Sequence, residues 1–169
     1  MENNLTRVGI FVDVQNLYYS ARNLYKSYVN FSKIRALAGN HGKIVRSIAY
    51  GIKADINKEE NFFDALKDAG FEVKLKDLQI FPGGMKKGDW DVGMTVDMIR
   101  MAPKLDIVVL VSGDGDFADL IEYLQNLGVF VIVMSFGPSS SSRLVEKADA
   151  LIDMDKDKNF FLLKKIRTK

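Results

Sequence analysis

Four apolar runs rich in β-branched residues, each followed by a segment of helical period, constrain what this chain can fold into. A strand that is apolar along its length is buried on both faces, as in a parallel sheet covered by helices. The alternation of strand and helix predicts that arrangement. We therefore expect an α/β protein, Rossmann-like, built as a three-layer α/β/α sandwich with a mainly parallel central sheet. The runs are Arg7–Val14, Lys43–Gly51, Leu105–Val111 and Val129–Met134.

Weaker patterns complete the predicted element order. The strands at Arg7–Val14 and Leu105–Val111 are the most apolar pair and are expected at the centre of the sheet. Phe71–Lys76 alternates and predicts an edge strand, and Ala150–Met154 predicts a short sixth strand. Ser32 is expected to cap the second helix. The predicted helices are Asn16–Tyr28, Ser32–Leu37, Glu59–Ala69, Asp91–Met101, Phe117–Asn126 and Arg143–Ala148. In the first of these helices, Leu24 and Tyr28 are expected on the buried face.

Length and composition limit the class of protein. A chain of 169 residues with 47% hydrophobic and 27% charged residues fits one globular domain, which we place at residues 1–155. Residues 156–169 are predicted to be a basic tail with a short helix that docks Phe160, Phe161 and Leu163. The alternative is that this tail contacts a nucleic acid or a membrane surface.

Targeting and redox signals are absent from the sequence. No apolar run approaches the roughly 20 residues of a membrane span, and the first residues lack a signal-peptide pattern. The absence of cysteine excludes disulfides and thiolate metal sites and suits a cytoplasmic location. The net charge of +2 does not identify a partner, because a carboxylate cluster can balance a nucleic-acid-binding surface.

Carboxylates follow two of the predicted central strands. Asp13 ends the first strand, and Asp114 and Asp116 follow the strand at 105–111. Ligands of an open parallel sheet bind beyond the carboxyl ends of its strands, where the strand order reverses. If the two strands are neighbours across that point, the three acids face one crevice. For Asp116 the alternative is a favourable charge in the first turn of a helix, as it is for Asp119.

Asp91, in the segment KKGDWDVGM, is a fourth candidate acid. It begins a predicted helix, so capping of the free amides is an equally good explanation, and Asp89 could be the cap instead. Asp97 lies on another face of that helix, where it could pair with Arg100 three residues on.

Carboxylates gathered this closely repel one another. A pair at 4 Å costs about 4 kcal/mol at an effective dielectric constant near 20, so the cluster must take up protons or bind a cation. Oxygen ligands without cysteine, and a single histidine, His41, in a remote loop, favour Mg²⁺ or Mn²⁺ over Zn²⁺. A divalent ion bound by carboxylates suits hydrolysis of a phosphodiester.

The neighbouring residues are consistent with a phosphate-containing substrate. Lys86 and Lys87 lie in a glycine-rich segment predicted to be a loop, and Arg143 follows the fifth strand. Ser112 and Ser139–Ser142 fall on the same edge of the sheet, where hydroxyls hold phosphate oxygens; a flexible serine turn is the alternative. Tyr18 and Trp90 are candidates for stacking on bases, with core packing as the alternative explanation.

Three motifs in order resemble a known family. RVGIFVDVQNLYYSAR, KKGDWDVGMTVDMI and VLVSGDGDFADLIEYLQNLGVFVIVMSF are similar to the NYN domain, in its LabA-like (DUF88) branch of the PIN-like nuclease superfamily. The later SRLVEKADALIDMD fits the end of the domain, so the resemblance covers about residues 7–153. It implies a PIN-like α/β/α fold and metal-dependent phosphodiester cleavage, usually of RNA.

The resemblance also implies roles for individual residues. Asn16 would orient the first acid or a water on the metal, and Asp97, like Ser112, would lie just behind the ligands. Lys87 matches the basic residue that precedes the acid at the start of the helix. Carried over residue by residue, the catalytic and metal-binding acids are Asp13, Asp91, Asp114 and Asp116.

The sequence thus predicts a Mg²⁺- or Mn²⁺-dependent ribonuclease that cleaves RNA with an activated water, with Lys86, Lys87 and Arg143 contacting the substrate. The alternative is a non-catalytic regulator that binds RNA or a protein on the same fold. A phosphatase or a cofactor enzyme is poorly supported, since no second acid follows in FVDVQN and no G-x-G-x-x-G follows the first strand. The sequence predicts no membrane contact for the domain and is compatible with a homodimer.

Overall fold

A parallel sheet with helices on both faces organises the protein. The computed structural model describes residues 5–54 and 56–163, with the backbone alone at 56–58. Within these residues the strands are β1 (Arg7–Asp13), β2 (Lys43–Lys53), β3 (Glu72–Asp77), β4 (Gln79–Ile80), β5 (Lys86–Lys87), β6 (Ile107–Val111), β7 (Phe130–Ser135) and β8 (Ala150–Asp153). The central sheet has the order β3-β2-β1-β6-β7-β8 and is parallel throughout, whereas β4 and β5 form a separate antiparallel pair.

The helices divide between the two faces of the sheet. They are α1 (Val14–Tyr25), α2 (Phe31–Ala38), α3 (Ile56–Asp68), α4 (Asp91–Met101), α5 (Ala118–Asn126), α6 (Ser142–Lys147) and α7 (Lys158–Phe161). Buried side chains of α1, α2, α3 and α7 share one core, and those of α4, α5 and α6 share the other. The predicted three-layer α/β/α fold and its mainly parallel sheet are therefore confirmed.

The central strand contributes to both cores. Along β1, Ile10 and Val12 pack in the core beneath α1 and α2, while Phe11 packs in the opposite core. This follows from the two-residue period of a strand, in which neighbouring side chains point to opposite faces. Burial on both faces explains why the strand is apolar along its length, and it confirms that β1 and β6 lie at the centre.

The strand order reverses between β1 and β6. From β1 the chain proceeds outward to β2 and β3, and it then returns to β6 on the other side of β1 before continuing to β7 and β8. The loops that leave β1 and β6 diverge at this point, and a crevice opens beyond the carboxyl ends of the two strands. The functional candidates lie there.

The first helix ends earlier than its pattern predicts. Lys26 adopts a left-handed conformation, with φ 51°, and its amide donates to the carbonyls of Ala21 and Arg22, which closes the helix at Tyr25. Tyr28 therefore lies beyond the helix, and both Leu24 and Tyr28 are exposed, so their predicted place in the core is wrong. The next helix is capped by Asn30, whose side chain accepts from the amide of Lys33, and not by Ser32.

The glycine-rich segment is a short hairpin, which corrects the predicted loop. Strands β4 and β5 pair through Gln79 with Lys87 and Ile80 with Lys86. Gly83 and Gly84 occupy the turn with positive φ, a conformation that glycine adopts without strain. The elements were too short for periodicity to reveal them.

The end of the chain packs only in part as expected. Helix α7 buries Phe161 in the core and Phe160 packs partly against it, while the side chain of Leu163 is 51% exposed, contrary to the prediction. The basic end at 164–169 lies outside the described residues. The boundary of the domain at residue 155 stays a prediction.

Candidate metal centre

Three acids that are remote in sequence meet beyond the ends of β1 and β6. Asp13 is the last residue of β1, Asp114 follows β6 by three residues, and Asp91 is the first residue of α4. One carboxylate oxygen from each of the three lies within 4.8 Å of the others, and all three side chains are partly buried. Of the four candidate acids, the structure therefore brings together Asp13, Asp91 and Asp114.

Ser112 joins the two strand ends. Its side chain is fully buried, and its hydroxyl donates to Oδ2 of Asp13 (3.1 Å) while accepting from the backbone amide of Asp114 (3.1 Å). The other carboxylate oxygen of Asp13 accepts from the amide of Asn16 at 3.2 Å and so caps α1. Asp13 is therefore held by both neighbouring loops.

Asn16 acts on the loop that carries Asp114. Its side-chain oxygen accepts from the backbone amide of Gly113 at 2.9 Å. The sequence expectation was that Asn16 orients the first acid or a water. The side chain contacts the backbone of the second acidic loop, and its role in orienting the first acid or a water stays a prediction.

Asp116 lies outside the compact group. The carboxylate of Asp114 accepts from the amide of Asp116 at 3.0 Å and starts a 3₁₀ turn at Gly115–Phe117. The side chain of Asp116 is exposed at the rim of the site. Its negative charge still contributes to the raised pKa of Asp91, after burial and the charges of Asp114, Asp13 and Asp89. Its role as a ligand stays a prediction.

The loop after β7 folds tightly onto the acidic loop. Ser141 donates its amide to the carbonyl of Gly113 at 2.9 Å, and the hydroxyl of Ser139 donates to that of Ser20 at 2.9 Å. Ser140 is within 2.6 Å of the hydroxyl of Ser135. The serine run is therefore an ordered, hydrogen-bonded loop, and the flexible turn offered as an alternative is wrong.

Gly115 is needed because this loop approaches so closely. A Cβ at position 115 would lie 2.5 Å from Oγ and 2.9 Å from Cβ of Ser141. We expect Gly115→Ala to destabilise the fold by about 1–3 kcal/mol, the usual cost of overpacking. Urea unfolding followed by circular dichroism measures this. The double variant Gly115→Ala/Ser141→Gly should recover most of the loss, and a fully stable Gly115→Ala would contradict the argument.

Asp91 is positioned by Trp90 and not by capping. The N-cap residue of α4 is Trp90, which makes no side-chain capping bond, so neither Asp91 nor Asp89 caps the helix. The indole of Trp90 donates to the carbonyl of Gly51 at 2.8 Å and its ring packs edge-on against Tyr50. The ammonium of Lys76 lies 4.2 Å from the ring centroid. Trp90 therefore anchors the start of α4, and it also lines the crevice; stacking of its ring on a base stays a prediction.

Asp97 lies in the protein interior and supports the start of α4 beside the crevice. The side chain is buried, with 7% of its surface exposed, and it accepts from the hydroxyl of Tyr50 (2.8 Å) and the ammonium of Lys74 (2.7 Å). The surface pair with Arg100 is thus wrong. Although burial acts to raise the pKa of Asp97, hydrogen bonds from Lys74 and Tyr50 outweigh it and hold the pKa below its usual value.

The predicted substrate-binding cations are not gathered at the acids. Lys86 lines a neighbouring hollow, and Lys87 follows it on β5 and is exposed. Arg143 forms an exposed ion pair with Asp119. Substrate contact by these three residues stays a prediction, and a phosphate would compete with Asp119 for Arg143.

The crevice at the acids has a volume of about 380 Å³. It is lined by residues that the sequence analysis left out of the site, among them Gln15, Tyr19, Asn23 and Asp89. Asp89 adds a negative charge that contributes to the raised pKa of both Asp13 and Asp91. The sequence DWD could have indicated that Asp89 lies at the site, because Asp89 is two residues from Asp91, which had been assigned to it.

The pKa values of two of the acids are raised, as expected for carboxylates that lie close together. Burial, together with the charges of Asp114 and Asp13, raises the pKa of Asp91 to about 6. Burial also raises the pKa of Asp13, against the hydrogen bonds from Asn16 and Ser112. The three carboxylates, close together and supplying oxygen atoms alone, could therefore bind a metal ion.

The sequence profile described as the NYN domain matches residues 7–155. The chain belongs to the NYN domain family. This is a PIN-like nuclease family, so the predicted family is confirmed, and the acidic cluster of this NYN domain lies where the fold places ligands.

Relatives of this NYN domain include two proteins matched over most of the chain. It is 29% identical over 166 residues to the Low amplitude and bright protein LabA of Synechococcus elongatus, which covers 92% of this chain and 87% of LabA. It is 26% identical over 155 residues to an uncharacterized protein of Methanocaldococcus jannaschii, with 89% of this chain and 56% of that protein covered.

A solved structure shares the NYN fold. The crystal structure of a protein of unknown function from Vibrio parahaemolyticus superimposes with a TM-score of 0.88 at 37% sequence identity. The match covers 96% of this chain and 99% of that chain. Among the described residues of the NYN domain, no helix has the length and apolar character needed to cross a membrane.

The pKa of Asp91 makes a prediction for the metal-free protein. Because its pKa rises from about 3.9 in the unfolded chain to about 6 in the fold, the folded state binds this proton more tightly. The resulting stabilisation is present below about pH 4 and is lost as the pH rises through about 6. In EDTA, Asp91→Asn should therefore gain stability relative to the wild type between pH 4.5 and pH 7.5, as measured by urea unfolding.

The matched control is Asp64→Asn, which removes an exposed acid of α3 that pairs with Lys67. Its pH profile should run parallel to that of the wild type. An Asp91→Asn variant that is less stable than the wild type at pH 7.5 would show that the carboxylate is structural and is not strained by its neighbours.

Proposed function

We propose that this protein is a ribonuclease that cleaves RNA phosphodiester bonds with a carboxylate-bound divalent cation. The observation that carries the proposal is the meeting of Asp13, Asp91 and Asp114, remote in sequence, within 4.8 Å at the point where the strand order reverses. Membership of a PIN-like nuclease family supports the same chemistry.

The donor set favours Mg²⁺ or Mn²⁺. The three side chains offer oxygen atoms alone, which suit hard divalent cations. The chain contains no cysteine, and its single histidine, His41, lies just before β2 and hence at the amino edge of the sheet, opposite the acids. The nitrogen and sulfur ligands typical of a zinc site are therefore missing from this edge.

In this proposal the protein supplies a rigid set of ligands. A divalent cation at the acids would lower the pKa of water and offset the charge that develops on the phosphate. Asp13, Asp91 and Asp114 would hold it, Ser112 and Asn16 fix the two loops, and the Tyr50–Asp97–Lys74 contacts support the start of α4. Water would attack phosphorus in line with the leaving oxygen, whose bond to phosphorus breaks as the leaving oxygen takes a proton.

The test is cleavage of an end-labelled single-stranded RNA by the purified protein. We expect products in Mn²⁺ and in Mg²⁺, none in EDTA, and restored cutting when excess Mn²⁺ is added back. A DNA of the same sequence tests the preference for RNA. Protein that binds the RNA and never cuts it in Mn²⁺ would overturn the proposal in favour of a non-catalytic RNA-binding regulator.

A further inference from the structure

A second hollow adjoins the acidic crevice along the carboxyl edge of β1 and β2. Its volume is about 710 Å³, within the range of roughly 300–1,000 Å³ that small-molecule sites occupy. It shares Gln15, Tyr19 and Ile52 with the crevice, so the two spaces are adjacent. We call this second space the tyrosine hollow, because Tyr18, Tyr19 and Tyr28 line it.

Two of these tyrosines present much of their surface to solvent. Tyr19 is 52% exposed and Tyr28 is 45% exposed. Tyr18 lies edge-on to Tyr19 with ring centroids 5.5 Å apart, and the hydroxyl of Tyr18 accepts from Arg22 at 2.8 Å. Exposed apolar and aromatic surface gathered in one place, as here beside the acidic crevice, is typical of a binding surface.

The backbone holds the tyrosines in place. Tyr19 lies within α1, whose first turn is fixed by Asp13, so its position relative to the acids is set by the helix. The carbonyl of Tyr28 accepts from the amide of Leu163 at 2.8 Å, and Ser27 donates its hydroxyl to the carbonyl of Leu163 at 2.6 Å. The backbone at Tyr19 and Tyr28 is therefore fixed by contacts within the protein.

We propose that the tyrosine hollow receives an unpaired base of the nucleotide next to the phosphate that is cleaved. This rests on the proposed nuclease function, and it adds the part of the substrate that the hollow recognises. The bound base stacks on Tyr19, which faces both spaces, and Lys86 at the rim of the hollow offers a positive charge to the adjoining phosphate. A base inside a duplex is paired and stacked, so the hollow selects unpaired strands.

The chemistry of the two spaces matches the two parts of a nucleotide. The acidic crevice takes the phosphate through its cation, and the adjoining hollow is lined mainly by aromatic and apolar side chains, such as Phe62 and Leu78. An apolar side chain of a protein partner would fit the aromatic wall equally well, but it would gain nothing from a cation at the adjacent acids. The test separates these occupants.

The experiment measures binding of a fluorescein-labelled, 10-nucleotide single-stranded RNA by anisotropy in Ca²⁺, with RNA integrity checked on a gel. Tyr19→Ala should raise Kd by about 5-fold to 150-fold, the range for loss of one stacked base. Tyr19→Phe keeps the ring and should bind like the wild type, whereas Tyr19→Leu should bind like Tyr19→Ala. Tyr123→Ala is the matched control, because Tyr123 is 47% exposed on α5 and should leave Kd unchanged.

A second arm links the tyrosine to a base. An abasic nucleotide is placed at each position of the RNA in turn. At one position it should weaken binding to the wild-type protein but have little further effect on binding to Tyr19→Ala, which is the coupling expected if that base contacts Tyr19. Equal binding by Tyr19→Leu and Tyr19→Phe, no sensitive position, or no binding of RNA at all would each overturn the proposal.

Cleavage is scored separately from this coupling. If the coupling is found and Mn²⁺ never supports cutting, the base site stands and the nuclease proposal fails. If RNA is cut and the coupling is absent, the nuclease proposal stands and the base site is rejected.

Discussion

Asp13→Asn is expected to reduce Mn²⁺-dependent RNA cleavage by at least about 1,000-fold. Losing a ligand forfeits several kcal/mol of transition-state stabilisation, and about 4 kcal/mol corresponds to that factor. Asparagine caps a helix as well as aspartate does, so the bond from the amide of Asn16 is retained. The variant therefore removes charge and leaves the fold in place. Initial rates on labelled RNA measure the effect.

The metal-free stability of Asp13→Asn separates a ligand from a structural acid. Relief of repulsion should spare or raise the melting temperature in EDTA, and the same holds for Asp114→Asn and Asp116→Asn. The control Asp64→Asn should cleave at the wild-type rate. A large loss of metal-free stability in all three site variants, or full activity in Asp13→Asn, would contradict a catalytic cluster.

Saturating Mn²⁺ is expected to raise the melting temperature of the wild-type protein by about 5–10 °C at pH 7.5. A ligand at 100 times its Kd stabilises the fold by about 2.7 kcal/mol, and each kcal/mol shifts the midpoint by about 2–4 °C for a domain of this size. Differential scanning fluorimetry, with ionic strength matched by NaCl, measures the shift. Asp91→Asn and Asp114→Asn should lose most of it.

The shift should depend on pH in a defined direction. Because the pKa of Asp91 is raised to about 6, the metal-free site holds a proton at pH 5 that a cation must displace, so the Mn²⁺ shift should be smaller there than at pH 7.5. The control Asp64→Asn should keep the full shift at both pH values. An unchanged shift in the site variants would place the Mn²⁺ elsewhere on the protein.

Much of the fold follows from features that a single segment reveals. Strands buried on both faces are apolar along their length, as β1 and β6 are, and this predicts the parallel sheet and its central pair. The convergence of Asp13 and Asp114 then follows from topology, since the ends of neighbouring parallel strands meet at one edge. Asp91 could not be separated from a helix cap by spacing alone.

The features that sequence missed depend on contacts between distant segments. The end of α1 is set by a left-handed Lys26, which periodicity does not show, so Tyr28 was assigned to the core instead of the hollow. Helix spacing suggested a surface pair of Asp97 with Arg100, because the segment around Asp97 gives no sign of its partners Tyr50 and Lys74. Only the family resemblance placed Asp97 behind the ligands. Asp116 was grouped with Asp114; the turn between them leaves its side chain exposed, and its role as a ligand stays a prediction.

The buried hydroxyl of Ser112 has a consequence for ion selectivity. It is hydrogen-bonded to both acidic segments at once, so the spacing of Asp13 and Asp114 is fixed during folding. Such a preorganised frame loses little conformational entropy on coordination and resists expansion around a larger ion. For the cation proposed above, Mg²⁺ and Mn²⁺ would therefore bind more tightly than Ca²⁺, which we expect to occupy the site only at a higher concentration.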